Sequence, residues 1–169
     1  MAHLIDLGHT RIGLLTGIPS DRLRSIIPER RRAGYLDALT AANLTPDPVL
    51  EEQGHFSIDG GAKAMTAMLA LAERPTAVFA MSDEMAFGAI QVARAAGLSV
   101  PGDLSVIGVD DHDLAPVMGL STIRQHVIAN GSLAAELLID ALAEPETGPT
   151  RQVVDYELVV RSTTGPPRT

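Results

Sequence analysis

The densest run of chemistry-bearing residues in this chain is Asp110-Asp111-His112-Asp113, three carboxylates and an imidazole in a row. Such oxygen and nitrogen donors ligate hard and borderline cations. Neighbouring residues of one loop seldom converge on a single ion, and the alternative is a strand-end Asp followed by a helix cap. The five histidines, His3, His9, His55, His112 and His126, are scattered, without the paired spacing of a zinc site. Cysteine is absent, which removes disulfides, thiolate metal sites and cysteine nucleophiles together. Gly17 has no Gly-Lys-Ser/Thr partner, and neither G-x-G-x-x-G nor G-x-S-x-G occurs. The residues ask for no cofactor and no metal, and they do not read as an enzyme. A hydrolase using Asp110 or His112 is the weakest of the rival readings.

These residues need elements to position them. Runs at 11–16, 76–80 and 104–109 are nearly continuous in apolar residues, as strands read when both faces are covered. Helical patterns separate them, at about 28–43, at 57–72, and from Ser82 or Asp83 as N-cap to Gly97. This alternation predicts an α/β fold, a parallel sheet with helices on both faces. Residues 121–125 read as extended and 127–143 as a helix with Leu133, Leu137, Leu138 and Leu142 on one side. Residues 145–149 read as a loop, 152–161 as a strand, and 163–169 as a frayed tail. Residues 3–9 resemble the last two turns of a helix ended by Gly8. Met1 therefore reads as a truncated start.

The chain has 169 residues, enough for one domain with a core, and 46% are apolar. No apolar run reaches the roughly 20 residues of a membrane helix, and the first residues are no signal peptide. The expectation is a cytoplasmic protein without a membrane partner. A net charge of −8 and only five aromatic residues argue against nucleic-acid binding by this chain itself.

Several segments, in order and over almost the whole chain, resemble the effector-binding core of the LacI/GalR family of bacterial transcription regulators. They include Leu7-Gly8-His9-x-Arg11-Ile12, Arg31-x-x-Gly34-Tyr35, Gln53-Gly54-x-Phe56 and Met81-Ser82-Asp83-Glu84-Met85-Ala86. Pro101-x-Asp103-Leu104-Ser105-Val106-Ile107-Gly108-Val109-Asp110-Asp111, Ser121-Thr122-Ile123-Arg124-Gln125 and Leu158-Val159-Val160-Arg161-Ser162 complete the match. The resemblance implies one lobe of a periplasmic-binding-protein-like type I fold, truncated at the N-terminus. Residues 10–120 would form the C-terminal lobe, 121–145 a return segment and helix that belong with the N-terminal lobe, and 150–163 the final strand. It implies a small polar effector of sugar-like chemistry, a homodimer, and operator DNA read only by a domain outside this chain. A periplasmic sugar-binding protein of the same fold is the main rival.

The resemblance also assigns residues. Arg31 falls on the ligand-contacting arginine, where a guanidinium offers a rigid fork of donors; a solvated helix face is the alternative. Asp110 ends a strand at the cleft mouth and can accept from vicinal hydroxyls, unless it caps the next helix, a task open to Asp111 or Asp113. Phe56 can stack on a sugar or base face or serve the core. Ser82 falls on a ligand-binding position where the family often has Asn, and its hydroxyl is shorter and lacks the two donors of an amide; Asp83 is expected to cap the following helix. The loop 17–28, with Ser20, Asp21, Arg22 and Arg24, is longer than its family counterpart and reads either as a reshaped pocket rim or as a mobile loop. His126 replaces a family Pro and loosens the strand after Gln125. Ala86, Phe87 and Ile90 lie on the helix used for dimerisation, or else in the core.

Overall fold

A computed structural model describes residues 1–17, 26–143, 148 and 151–168. Most of the 17–28 and 145–149 loops, including Ser20, Asp21, Arg22 and Arg24, lie outside the described residues.

The three apolar runs form the centre of a parallel sheet. β1 (Ile12–Thr16) pairs with β3 (Ala77–Ala80), and β3 pairs with β4 (Ser105–Ile107). A fourth strand, β2 (Glu51–Gln53), flanks β1, giving the order β2-β1-β3-β4. No expectation covered β2. Its sequence, Glu51-Glu52-Gln53, is polar and short, as suits a sheet edge, so it carries no hydrophobic signal.

Register separates the two faces. Leu14, Phe79 and Ile107 align on one, and Gly13, Val78 and Val106 on the other. α2 (Ile27–Ala41) covers the first face, where Tyr35 donates its hydroxyl to the Ile12 carbonyl at 2.8 Å, and α1 (Ala2–Asp6) lies beside it. α3 (Ile58–Leu69) and α4 (Asp83–Ala95) cover the second, with Met68 against Gly13. Leu14, Leu15, Val78 and Val106 are wholly buried, which is why their runs do not alternate.

α3 and α4 touch backbone to backbone. A Cβ on Gly88 would lie 2.0 Å from the Ile58 carbonyl oxygen, and one on Gly61 would lie 2.2 Å from that of Met85. Both glycines are therefore fixed by close approach.

After β4 the chain makes a short helix, α5 (Ala115–Met118), stopped by Gly119 at φ +67°. β5 (Thr122–Arg124) then runs beside the prolongation of β4. Gly108 donates to Ser121 O and Asp110 to Ile123 O, each at 2.9 Å. β6 (Glu157–Val159) pairs antiparallel with β5. The tail expected to fray is docked instead. Thr163 is buried and joins Val106 O and Ser121 N, and Gly165 binds Ser105 and His9. These hydrogen bonds, invisible to hydropathy, fix it.

α6 (Val127–Ala143) buries none of its residues, and Val127, Ile128, Leu138, Ile139 and Leu142 are exposed. Among the described residues no helix is long and apolar enough to cross a membrane.

Candidate functional site

In a sheet of this order the connections reverse direction between β1 and β3, and ligands of open α/β sheets sit beyond the strand ends at such a point. Gly17 follows β1, and Met81 follows β3. The two are joined there, the Gly17 amide meeting Met81 Sδ at 3.4 Å.

Arg31 reaches this place from α2. Its Nη1 donates to the Met81 carbonyl, and its Nη2 lies 3.6 Å from Asp110 Oδ1. The Arg31 side chain is 19% exposed and that of Asp110 43%. The structure thus brings together two candidates 79 positions apart in sequence. Gln125 donates from Nε2 to Asp110 Oδ1 at 2.6 Å. Gln125 appears in the family-like segment, but nothing in its own sequence context marks it as a site residue.

The backbone at Asp110 is unusual. Asp110 has φ +125° and Asp111 φ +55°, values that L-residues rarely adopt and that the surroundings must enforce. Asp111 supplies the enforcement. It accepts from Arg161 Nη2 and Arg124 Nε, both at 2.7 Å, and Arg161 also holds the Leu120 carbonyl. Burial opposes ionisation of Asp111, but the two guanidinium hydrogen bonds outweigh it and keep its carboxyl below the usual range. The Asp111 carboxylate clamps β5 and β6 to the loop that presents Asp110.

Asp83 forms the floor. It is 1% exposed and accepts from the Thr122 hydroxyl at 2.5 Å and the His112 amide at 2.8 Å. The cap of α4 is Ser82, whose Oγ accepts from the Met85 amide at 3.4 Å. This corrects the capping role expected of Asp83. The Ser82 side chain is buried and committed to the helix. No Asp caps α5 either, because its N-cap is Leu114 and the His112 ring accepts from the Leu114 amide. The Asp110–Asp113 run therefore diverges: Asp110 turns toward Arg31 and Gln125, Asp111 toward two other arginines.

Burial pushes the Asp110 carboxyl up. Arg31 and Gln125 counter this, while Asp83 and Glu84 add to it. Burial likewise pushes Asp83 up, against its two hydrogen bonds.

Phe56 is half-buried at φ +51°, its ring lying across Gly17. A Cβ on Gly17 would fall 1.8 Å from the ring, so a side chain there would displace Phe56. A hollow of about 280 Å³ opens beside it, lined by Thr16, Gly17, Glu29, Arg32, Glu51 and Met81.

The dimer residues fall elsewhere. Ala86 and Ile90 are wholly buried within the single chain and Phe87 is 6% exposed. This corrects the expectation of a subunit face there, since packing against α3 and the sheet has used those side chains. Phe87 keeps an edge against the His112 ring, centroids 5.7 Å apart.

Comparison with known proteins gives a consistent picture. The family model described as periplasmic binding protein-like domain matches residues 1–164. The ribose operon repressor of Haemophilus influenzae is 37% identical over 160 residues, covering 94% of this chain and 47% of the repressor. The chain spans about half the length of the curated relatives it matches. The solved complex of the transcriptional regulator CelR with cellobiose superposes with a TM-score of 0.87 at 35% identity, over 95% of this chain and 49% of that one. The lac repressor dimer bound to operator and the anti-inducer ONPF superposes with a TM-score of 0.86 at 32% identity, over 97% and 56%. With a match over nearly its whole length, the chain belongs to the periplasmic binding protein-like domain family, in the form carried by LacI/GalR-type transcription regulators.

Proposed function

We propose that this chain is the effector-sensing part of a LacI-type transcriptional regulator. The observation that carries the reading is the meeting of Arg31 and Asp110 at the strand ends, 3.6 Å apart and both open to the cleft. Arg31 donates to ligand hydroxyl oxygens and Asp110 accepts from ligand hydroxyls, while Phe56 offers a ring face. A sugar or sugar-like effector suits these groups. Its binding energy works by differential affinity for two arrangements of the complete core. The Asp111 clamp ties the Asp110 loop to β5 and β6, the segments through which such a change would pass.

Operator DNA is bound by a domain outside this chain, because a net charge of −8 opposes DNA contact here. The regulator works in the cytoplasm and performs no catalysis. The reading includes a homodimer, as the similar lac repressor is a dimer. The repressor relatives weigh against the rival periplasmic sugar-binding role.

Titration calorimetry of sugars and nucleosides against the complete product of the reading frame that contains this chain tests the proposal. A ligand whose binding is lost in Arg31→Ala, and which alters operator affinity, is expected. Binding indifferent to Arg31 would refute it.

A further inference from the structure

α6 and the sheet are linked through β5 and β6. β5 runs into α6 by way of Gln125 and His126, and His126 turns at φ +47°. β6 brings the chain back after it. α6 buries none of its own residues, so among the described residues its placement rests on these two strands. Their ladder is short: Thr122 pairs with Val159, Ile123 with Leu158 and Arg124 with Glu157. The last of these pairs stands where both strands leave the sheet.

At that exit Arg124 holds two partners at once. Its Nε donates to Asp111 Oδ2 and its Nη1 to Glu157 Oε2, each at 2.7 Å. Asp111 is itself shared between two arginines, one oxygen each, because Arg161 Nη2 donates to its Oδ1. The two arginines differ in their surroundings. Arg161 and Asp111 are largely buried, and Arg161 also holds the Leu120 carbonyl and, through its amide, Ser121 Oγ. It is thereby fixed to the stretch that pairs with the prolongation of β4. Arg124 and Glu157 are far more open to water. An exposed ion pair adds little to stability, but at the end of a three-pair ladder it decides whether the last rung stays closed. Asp110 precedes Asp111 and donates its amide to Ile123 O. A guest that moves the Asp110 loop therefore pulls on the carboxylate that Arg124 grips.

We propose that Arg124 is a positioning residue: it carries the state of the Asp110–Asp111 loop to the exit of β5 and β6, and so sets how the part bearing α6 stands to the sheet, with Arg161 as the fixed anchor. This rests on the sensing reading above, and the test separates the two. The chain contains no cysteine, so Ala67→Cys on α3 and Glu136→Cys on α6, both at exposed positions, take a nitroxide pair. Double electron–electron resonance is recorded on the complete protein, diluted in excess unlabelled protein. Without a guest, Glu157→Ala and Arg124→Gln each widen the distance distribution of the wild type, and the double variant widens it no further. Glu157→Gln, which keeps an acceptor for Arg124, lies between. Glu157→Ala leaves the thermal midpoint almost unmoved, whereas Arg161→Gln lowers it by about 5 °C or more. Glucose, galactose and ribose are then titrated in. Wherever one gives heat, Glu157→Ala binds it within about threefold of the wild type but loses the change in distance that binding brings to the wild type. A wild-type distribution in Glu157→Ala, or additive widening in the double variant, overturns the proposal. So does a guest-driven change in distance that survives in Glu157→Ala. Binding indifferent to Arg31→Ala sinks the cleft reading and leaves this proposal to be judged by the distances without a guest.

Discussion

The buried carboxylate of Asp83 and the hydroxyl of Thr122, 39 positions apart, meet at 2.5 Å and fasten the first turn of α4 to β5. The same carboxylate accepts from the His112 amide. Asp83→Ala would leave both donors unsatisfied in the interior. We predict a loss of about 3 kcal/mol in stability, read by urea denaturation. Asp83→Asn should cost less, since it retains an acceptor and relieves the burial of charge. A change below about 0.5 kcal/mol in Asp83→Ala would show that the floor is not held this way.

The α3–α4 contact gives a second prediction. Gly88→Ala and Gly61→Ala place a methyl group within 2.0 and 2.2 Å of carbonyl oxygens. The clash is with backbone, which cannot rotate away. Each substitution should destabilise by about 3 kcal/mol or more, lowering the midpoint of thermal unfolding by circular dichroism. Gly97→Ala should act differently, through its φ of +80° alone, as its Cβ would meet nothing within 4 Å, and cost about 1 kcal/mol.

His9 sets a pH dependence. Its ring is buried and bonded to Thr76, Ser105 and the Gly165 carbonyl. Burial holds the imidazole below its ordinary 6.5, the Gly165 carbonyl partly offsets this, and His3 adds to it. A histidine depressed in the fold is neutral there and protonates more readily when unfolded. Its contribution is therefore complete above pH 6.5 and declines as pH falls from that value toward the folded pKa. Denaturation midpoints between pH 8 and 5 are expected to fall below about 6.5. His9→Asn is expected to be less stable throughout and to lose that part of the slope. An unchanged slope would assign it to other groups.

α6 gives a fourth. Leu138, Ile139 and Leu142 are exposed on a helix that buries none of its residues. Burying side chains of this size is worth roughly 1.5–3 kcal/mol each, so an isolated chain should cover them by self-association. Light scattering is expected to show species larger than a monomer, and Leu138→Glu with Leu142→Glu should reduce them. A compact monomer with this helix undocked would contradict the prediction.

What the sequence reveals follows from which forces leave a pattern in it. β1, β3 and β4 are legible because buried parallel strands must be continuously apolar. α3 is legible because its cap Ser57 and its apolar positions agree. β2 is not, because an edge strand of Glu51-Glu52-Gln53 is held by backbone hydrogen bonds to β1 and needs no apolar side chain. The tail is mistaken for a frayed end because its anchors are Thr163, Gly165 and the distant His9, whose pairing depends on tertiary approach.

The site divides in the same way. Residue type and position on a strand end single out Asp110, and resemblance singles out Arg31. The division of labour among three nearby aspartates cannot be read from their spacing. Asp83 goes to the floor, Asp111 to the clamp and Asp110 toward Arg31 and Gln125 only because β5 and the chain after β6 return to deliver Thr122, Arg124 and Arg161. Gln125 arrives with the same strand. Apolar spacing on α4 could not separate a subunit face from a core face; Gly61 on α3 and Gly88 on α4 let the two helices close together and bury those side chains.

The central claim is that Arg31 and Asp110 hold one guest between them. A double-mutant cycle tests it most directly, with effector affinity measured by calorimetry for wild type, Arg31→Ala, Asp110→Ala and the double variant of the complete protein. Each single change is expected to weaken binding about 10- to 100-fold. The double variant should be little worse than either, giving a coupling above about 1 kcal/mol. Strictly additive losses, or affinity untouched by either change, would contradict the account.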